Sequence, residues 1–288
     1  MRVARFRADG RIRLGVVEGD QIADLGDVVG LPVDVGDLLA SGRLDEVGDA
    51  AANAPRLALA DVELLAPIAQ PPSFLAIGLN YADHVIESGM NKPVAPVVFT
   101  KQVTCVIGPN APIEVPDEAP TLVDYEGELG IVIGSRCRRV KASDAHSVIA
   151  GYMIVNDVSV RDWQKATQTM MMGKSWDTHG PTGPWLVTAD EIADPHDLRI
   201  RTWVDGELRQ DASTAQMITN CYELVEHLST AFTLLPGTII ATGTPAGVGF
   251  VMDPPRCLNP GSTVRIEIEH IGALENRCVS TPELAALG

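Results

Sequence analysis

The stretch DYEGELGIVIG, residues 124–134, predicts a strand whose two faces differ in chemistry. Side chains alternate along a strand, so the aliphatic residues fall on one face and both glutamates fall on the other. The first face comprises Gly127, Leu129, Ile131 and Ile133, and the second comprises Glu126, Glu128 and Gly130. The apolar face predicts burial in a core. The two carboxylates lie about 7 Å apart along the strand and repel each other unless a cation, a shared proton or solvent relieves them.

The bulk composition describes an ordinary globular protein with a substantial core. The chain has 288 residues, of which 45% are hydrophobic and 21% are charged, and this length fits two domains or one large domain. The net charge of −16 opposes binding to nucleic acid and to anionic membranes, because both would repel an acidic protein. An anionic substrate would therefore need a local positive anchor.

The chain shows no sequence signal for export, membrane insertion or a disulfide framework. The start, MRVARFRADG, lacks the apolar segment of a signal peptide, and no apolar run reaches the roughly 18 residues of a membrane span. The cysteines are odd in number, widely spaced and without a C-x-x-C pair, which argues against disulfides and zinc clusters. We therefore expect a cytoplasmic protein that has no membrane partner.

The start of the chain predicts a small N-terminal α/β domain, residues 1–66. Short strands joined by Asp-Gly and Gly-Asp turn dipeptides predict a small antiparallel sheet. These strands are residues 2–8, 11–17 and 21–25. A helical pattern follows at 34–42, and the proline pair at 71–72 interrupts the pattern after a further extended stretch. We place the domain boundary near this point, with residues 67–288 as the second domain.

The larger part of the chain predicts mainly strands with a few packed helices. Helical patterns cover residues 81–88, 144–150 after a capping Ser143, and 215–232. Strand patterns cover residues 74–80, 96–101, 127–134, 151–159, 184–188, 198–204, 206–210, 237–243 and 263–269. Strands and helices do not alternate regularly, so a doubly wound sheet is not expected and the fold class is mainly β (α+β).

Three acidic residues form the first candidate site. Glu126 and Glu128 share a strand face, and Asp157 follows an apolar strand in IVNDVSVRDWQ. A hard divalent cation such as Mg²⁺ or Mn²⁺ prefers carboxylate oxygens. The alternative is that the glutamates face solvent and that Asp157 only ends a strand.

A histidine and a glutamate form the second candidate site, in NYADHVIESG. His84 and Glu87 are three residues apart and would be neighbours on one helical face. A glutamate beside a histidine orients the ring and favours its use as a general base toward water. The alternative is an ordinary surface contact.

Two loops complete the candidate set. Lys174 lies in GKSWDTHGPTGPW, where glycines and prolines position the backbone, and it could hold a substrate carboxylate or an enolate oxygen. ATGTPAGVG, residues 241–249, could present consecutive amides to an anion. It fits neither a dinucleotide fingerprint nor a P-loop. The alternatives are a solvated lysine and a simple glycine turn.

Five stretches, taken in order, resemble the fumarylacetoacetate hydrolase (FAH) family over residues 67–280. They are GLNYADH, DYEGELGIVIG, NDVSVRDWQ, GKSWDTHGPTGP and TGTPAGVG. The resemblance implies a mixed β-sandwich-like roll, a smaller N-terminal domain and a homodimer. It also implies Mg²⁺ or Mn²⁺, with Ca²⁺ as a substitute, held by Glu126, Glu128 and Asp157.

The resemblance also implies roles for the remaining site residues. His84 and Glu87 match a dyad on a lid helix, and Lys174 matches a catalytic lysine. Residues that match substrate-contacting positions are Gln164, Arg161, Thr244 and Gly243. The family pattern assigns nothing to His179, to the methionine run at 170–172 or to residues 1–66.

The activity expected from the resemblance is catabolic hydrolysis of a C–C bond in a small anionic 2-oxo acid, either acylpyruvate-like or a β-diketo acid. One alternative uses the same metal site for oxaloacetate-type decarboxylation or 2-hydroxydienoate isomerisation. Another is a metal-stabilised binding protein without chemistry. The His84 and Glu87 pair argues against the last, because a binding module needs no general base.

Overall fold

The computed structural model describes residues 1–120 and 122–281 and consists mainly of β-strands. The strands are β1 (Arg2–Ala8), β2 (Arg11–Glu18), β3 (Gln21–Asp24), β4 (Arg56–Ala58), β5 (Glu63–Leu65), β6 (Phe74–Gly78), β7 (Val97–Lys101), β8 (Val106–Ile107), β9 (Ile113–Val115), β10 (Val123–Asp124), β11 (Gly127–Ile133), β12 (Ile149–Asn156), β13 (Ser159–Val160), β14 (Gly180–Thr188), β15 (Arg199–Val204), β16 (Glu207–Ser213), β17 (Ile239–Ala241), β18 (Thr263–Ile268) and β19 (Gly272–Ser280). The α-helices are α1 (Val35–Ala40), α2 (Glu46–Ala52), α3 (Ala82–Glu87), α4 (Arg161–Ala166), α5 (Met171–Lys174) and α6 (Cys221–Ala231). The prediction of a mainly β fold is confirmed.

One large mixed sheet runs through most of the described chain. Its strands follow the order β4-β3-β2-β1-β14-β12-β11-β17-β6-β7, with β5 paired to β1 and β8 paired to β14. Most neighbours are antiparallel, while β17 runs parallel to β6 and β14 runs parallel to β8.

The N-terminal strands are part of this large sheet. We expected them to form a small sheet of their own, and the strands and their hairpins are present, but β1 also pairs with β14 through Arg2 opposite Val187. The predicted antiparallel pairing of these strands is confirmed, and the sheet continues past residue 66 because the edge of β1 that would otherwise be unpaired bonds to β14.

A second sheet, in the order β16-β15-β18-β19-β9, packs against the large one. Leu129, Ile131 and Ile133 of β11 share a buried cluster with Ile200 of β15 and Ile266 of β18. The predicted core face of β11 is therefore confirmed, and the main core lies between the two sheets.

The opposite face of β11 is buried as well. Val132 belongs to a second cluster that includes Val3 of β1, Leu38 of α1 and Val155 of β12. At Gly130 a Cβ atom would lie 2.7 Å from the Val155 side chain, so that side chain packs directly against the backbone of β11. Every residue of β11 is buried, and Glu126 just before it is 5% exposed, so the alternative in which both glutamates face solvent is excluded.

Two predicted helices differ from the structure. Residues 144–148 lie in a 3₁₀ helix, Ala142–Val148, that is preceded by Lys141 rather than capped by Ser143, and residues 149–150 begin β12. The pattern at 215–232 is divided into a short 3₁₀ turn and α6, which starts after Asn220. The intervening backbone amides of Ile218 and Thr219 donate to Asn80, so a tertiary contact replaces the helical hydrogen bonds.

The longest described α-helix, α6, is much shorter than a bilayer is thick, and none of the described helices could traverse a membrane.

Candidate metal centre and active site

The pairing of β11 with β12 brings three acidic side chains to one end of the large sheet. Gly127 lies opposite Asn156 in this ladder, and the amide of Asp157 donates to the carbonyl of Glu126 at 2.9 Å. Glu126, Glu128 and Asp157, which we call the carboxylate cluster, each offer an oxygen within 4.8 Å of the others. Each residue is at most 5% exposed. The ladder thus joins two sequence motifs into one candidate site.

Two lysine ammonium groups contact the carboxylate cluster. Lys174 Nζ lies 2.7 Å from Glu126 Oε2 and 2.7 Å from Asp157 Oδ2. Lys101 Nζ lies 2.7 Å from Asp157 Oδ1 and also donates to the carbonyl of Lys174. Since both lysines are at most 3% exposed, these charges are compensated by the protein itself rather than by water.

This pairing keeps Glu126 and Lys174 ionised. Burial by itself would raise the pKa of Glu126, but the charges of Lys174 and then Arg161 lower it well below its ordinary range. Burial by itself would lower the pKa of Lys174, but Asp157 and Glu126 raise it above its ordinary value. A lysine that stays protonated stabilises negative charge and does not accept a proton. Lys174 therefore places a buried positive charge at the cavity, where it can stabilise an anion.

Arg161 is held between two acids. Its Nε and Nη2 atoms donate to Asp124 Oδ2 at 2.9 and 2.7 Å, and Nη1 donates to Glu126 Oε1 at 2.6 Å. Asp124 also accepts from the amides of Gly249 and Phe250. Charge-assisted bonds of this kind fix geometry strongly. They lock the start of β11, helix α4 and the glycine-rich loop together.

Glu128 has no cationic partner in the part of the chain that the structure describes. Its Oε2 atom accepts from the amide of Gly243 at 2.8 Å. Burial, followed by the charges of Asp157 and Glu126, raises the pKa of Glu128 well above its ordinary value. A buried carboxylate without a cation, beside two others, is the oxygen donor set that a hard divalent cation prefers. The residues present therefore fit Mg²⁺ or Mn²⁺.

His84 and Glu87 form the predicted pair on α3. His84 Nδ1 donates to Glu87 Oε1 at 2.7 Å, and Glu87 Oε2 accepts from the amide of Gly247 at 2.8 Å. With the Nδ1 proton directed at Glu87, the Nε2 atom of a neutral ring is left as an acceptor. The pair is anchored to the glycine-rich loop, so it is more than a surface contact.

A cavity of about 380 Å³ opens beside the carboxylate cluster. Glu126, Glu128, Lys174 and His84 all line it. Its apolar wall includes Ile77, Leu79, Met90, Val97, Phe99 and Phe250. The cavity therefore joins a charged inner end to an apolar wall.

The predicted substrate-contacting residues divide into two groups. Gln164, Arg161 and Thr244 line the cavity, as a substrate contact would require. Gly243 instead lies against Glu128 and donates its amide to that carboxylate. Gly243 therefore positions Glu128, a candidate metal ligand, by a hydrogen bond.

Two hydrogen bonds fix the hydroxyl group of Thr244. Its hydroxyl donates to the carbonyl of Gly127 at 3.0 Å and accepts from Gln210 Nε2 at 2.7 Å. Gln210 also accepts from the amide of Gly127 at 3.0 Å. This network couples the glycine-rich loop to the start of β11.

The residues without an assigned role lie in different places. Met170 lines the cavity in a left-handed conformation with φ of 58°, whereas Met172 is exposed. His179 is buried, and its Nε2 atom donates to the carbonyl of Glu114 at 2.7 Å. Burial lowers the pKa of His179 to about 4. It is therefore a neutral structural residue.

Sequence reasoning missed two charged residues of this site, Lys101 and Asp124. Lys101 ends the apolar strand pattern at 96–101, and a lysine on a buried strand needs an acidic partner. Asp124 opens the stretch that contains both glutamates, but no local rule links it to Arg161. The sequence therefore shows that both residues are unusual, but it does not show which residue each of them contacts.

Family models match both parts of the chain. A model described as "Fumarylacetoacetate (FAA) hydrolase C-terminal" matches residues 73–279, and one described as "Rv2993c-like, N-terminal" matches residues 1–67.

Similar proteins cover nearly the whole chain. The Xenopus laevis protein named "Oxaloacetate tautomerase fahd2, mitochondrial" is 38% identical over 97% of this chain and 90% of its own length. The structure of a fumarylacetoacetate hydrolase from psychrophilic Exiguobacterium antarcticum is 39% identical and has a TM-score of 0.89, covering 97% of this chain and 99% of that one.

A further solved structure is of maleylpyruvate hydrolase from Sphingobium sp. SYK-6 in complex with manganese(II) ion and pyruvate. It is 32% identical with a TM-score of 0.83, over 98% of this chain and 100% of that one.

Proposed function

This chain belongs to the fumarylacetoacetate hydrolase family, and we propose that it is a divalent-metal-dependent hydrolase of a C–C bond in an acylpyruvate-like 2-oxo acid. The observation that carries the proposal is the position of His84. Its ring faces the cavity beside the carboxylate cluster, while Glu87 and the amide of Gly247 hold it from behind. A held imidazole with a free Nε2 atom is suited to removing a proton from water.

The carboxylate cluster is the proposed metal site. Glu126, Glu128 and Asp157 would hold Mg²⁺ or Mn²⁺, and Ca²⁺ can use the same oxygen donors. When bound, the ion would supply a Lewis acid to the oxygens of a 2-oxo acid. The Mn²⁺ and pyruvate in the related maleylpyruvate hydrolase support this assignment.

In the proposed reaction His84 Nε2 removes a proton from water, and the resulting hydroxide attacks the distal carbonyl carbon of the substrate. The bond from that carbon to the methylene carbon breaks, and its electrons pass to the pyruvate fragment as an enolate. The imidazolium returns the proton to the enolate carbon, so pyruvate and a carboxylic acid leave. The Lys174 ammonium stabilises the negative charge that develops on the pyruvate fragment.

The apolar wall supports a substrate with an acyl group. Leu79, Val97 and Phe99 line the cavity beyond its charged inner end, and apolar surface favours carbon chains over a second polar group at that depth. An acylpyruvate places its 2-oxo acid at the carboxylate cluster and its acyl carbons along this wall.

The test is release of pyruvate from acetylpyruvate by purified protein with Mn²⁺ and again with a chelator. We expect release only with the metal, and we expect His84→Asn to lower kcat about 10²-fold to 10⁴-fold, the range of general acid–base catalysis. His227→Asn, on the exposed side of α6, is the matched control and should leave kcat unchanged. Equal activity of His84→Asn and wild type would overturn the proposal.

A second candidate is tautomerisation of oxaloacetate, favoured by the similarity over nearly the full chain to the Xenopus protein of that name. This reaction moves a proton between carbon and oxygen and needs no attacking water. Decarboxylation of oxaloacetate and isomerisation of a 2-hydroxydienoate remain alternatives at the same site. Faster turnover of oxaloacetate than of any acylpyruvate would favour this group of reactions.

The homodimer implied by the family resemblance stays a prediction, and light scattering of the purified protein would test it.

A further inference from the structure

One cation at the cavity differs from the others in its surroundings. Lys101, Lys174 and Arg161 each lie within 2.7 Å of a carboxylate oxygen. Lys165 follows Arg161 by about one turn of α4 and lines the same cavity. Among residues 1–120 and 122–281 it forms no ion pair, and it is exposed at the mouth.

The contact that Lys165 does make leaves its charge uncompensated. Its Nζ atom lies 3.7 Å from the centroid of the Phe250 ring, which also lines the cavity. An aromatic face attracts an ammonium group but carries no net charge. Partial burial, followed by the charge of Arg161, lowers the pKa of Lys165. An anion beside this ammonium group would offset the repulsion from Arg161 and favour the charged lysine.

The arrangement of the cavity indicates which kind of anion could lie beside Lys165. The inner end is occupied by the carboxylate cluster, the wall is apolar, and Lys165 lies at the exposed mouth. A substrate with its 2-oxo acid at the inner end would extend along the wall toward this lysine.

We propose that Lys165 binds a second carboxylate at the far end of the substrate, so that the preferred substrates are 2-oxo acids whose acyl group itself ends in a carboxylate. The inference rests on the proposed function and narrows its substrate class. Lys165 is then a specificity residue, because it contacts the substrate far from the bond that breaks.

The test compares two substrates of equal carbon chain. Succinylpyruvate ends in a carboxylate, and butyrylpyruvate ends in a methyl group. Lys165→Met should raise KM for succinylpyruvate about fivefold, the upper range for an exposed ion pair, and leave KM for butyrylpyruvate and both kcat values unchanged. Lys165→Arg should keep the preference, since it keeps the charge.

A matched control removes a positive charge elsewhere. Lys92 is exposed and does not line the cavity, so Lys92→Met changes the net charge equally and should leave both KM values unchanged. An equal rise of both KM values in Lys165→Met, or no rise in either, would overturn the proposal and leave Lys165 as a residue that only packs on Phe250.

A binding measurement separates this proposal from the proposed function. Calorimetry in the presence of Mn²⁺ compares 2-oxoadipate, which has two carboxylates, with 2-oxohexanoate, which has one. If the wild type cleaves neither acylpyruvate, the proposed hydrolysis fails. In that case selective loss of 2-oxoadipate affinity in Lys165→Met still supports the lysine's role, and unchanged affinity for both ligands overturns it.

Discussion

The two ends of the cavity are built in opposite ways. The carboxylate cluster at the inner end is almost fully buried, and its charges contact lysines and an arginine from three other segments. The outer rim, which comprises Lys165, Thr167, Gln168 and Met170, is mostly exposed and has few side-chain contacts.

In the proposed function, this difference separates the residues of the chemical step from those that select the substrate. A change in the carboxylate cluster leaves a buried partner charge uncompensated, which is strongly destabilising. A change on the outer rim alters a solvated surface, where most substitutions have small effects on stability. Substitutions on the outer rim should therefore cost the protein less stability than substitutions in the carboxylate cluster.

The largest effect is expected at the inner end, from Glu128→Gln. Loss of a charged ligand should abolish Mn²⁺ binding and all turnover, which calorimetry and the pyruvate assay would detect. The metal-free variant should be more stable than the metal-free wild type. Above the ordinary carboxyl pKa, Glu128 is ionised in the unfolded chain, but its raised pKa opposes ionisation in the folded protein. The wild type therefore loses stability as pH rises, and the neutral glutamine does not. Full Mn²⁺ occupancy in the variant would contradict the assignment of this ligand.

Lys174→Met tests whether the buried charges depend on each other. Removing the ammonium group leaves Glu126 and Asp157 without a shared partner, and we expect a loss of about 3–5 kcal/mol in the free energy of unfolding. Urea denaturation with a chelator measures it. Lys165→Met on the outer rim is the control and should change the same quantity by less than about 0.5 kcal/mol. Similar losses in both variants would remove the contrast between the two ends.

His179 extends the comparison to a buried titratable group outside both ends. Its folded pKa of about 4 lies below the ordinary value of about 6.5, so the folded protein binds fewer protons than the unfolded chain between these values. Stability that is present above pH 6.5 is therefore lost as pH falls, by about 2 kcal/mol at pH 5. His179→Gln keeps a donor for Glu114 and should show a shallower decline in urea denaturation. Parallel curves for the two proteins would contradict this.

The smallest effect is expected at Glu87, which acts through the His84 ring. Glu87→Gln keeps one acceptor, which can still face His84, but removes the charge and the acceptor for the Gly247 amide. We expect kcat to fall about tenfold with KM unchanged. Pyruvate release under saturating substrate measures it, and His84→Asn sets the scale of complete loss. A fall as large as that of His84→Asn would show that Glu87 takes part directly rather than by holding the ring.

Much of the site could be predicted because its signals are local. The alternation of β11, extended by one residue to Glu126, places Glu126 and Glu128 together, and the helical spacing of His84 and Glu87 produces the observed hydrogen bond. The fold class followed from the same periodicities. The short α4 was missed, since its six residues are too few for a periodic pattern.

The errors have a common cause. Residues 144–150 carry a helical pattern, but Ile149 begins a strand whose partners lie on β11 and β14. The amides that would continue a helix through Ile218 and Thr219 instead bond to Asn80. In both places a long-range hydrogen bond replaced a local preference, and a local pattern contains no information about it.

The sequence by itself determined which side chains share a face, because backbone periodicity is a local property of the chain. Only the tertiary structure decided what lies opposite each face. The N-terminal strands and α1 bury the second side of β11. The carboxylate cluster is contacted by cations from three separate segments, namely Lys101, Lys174 and Arg161. Burial and charge pairing join residues far apart in the chain, so they depend on how the sheets and loops pack.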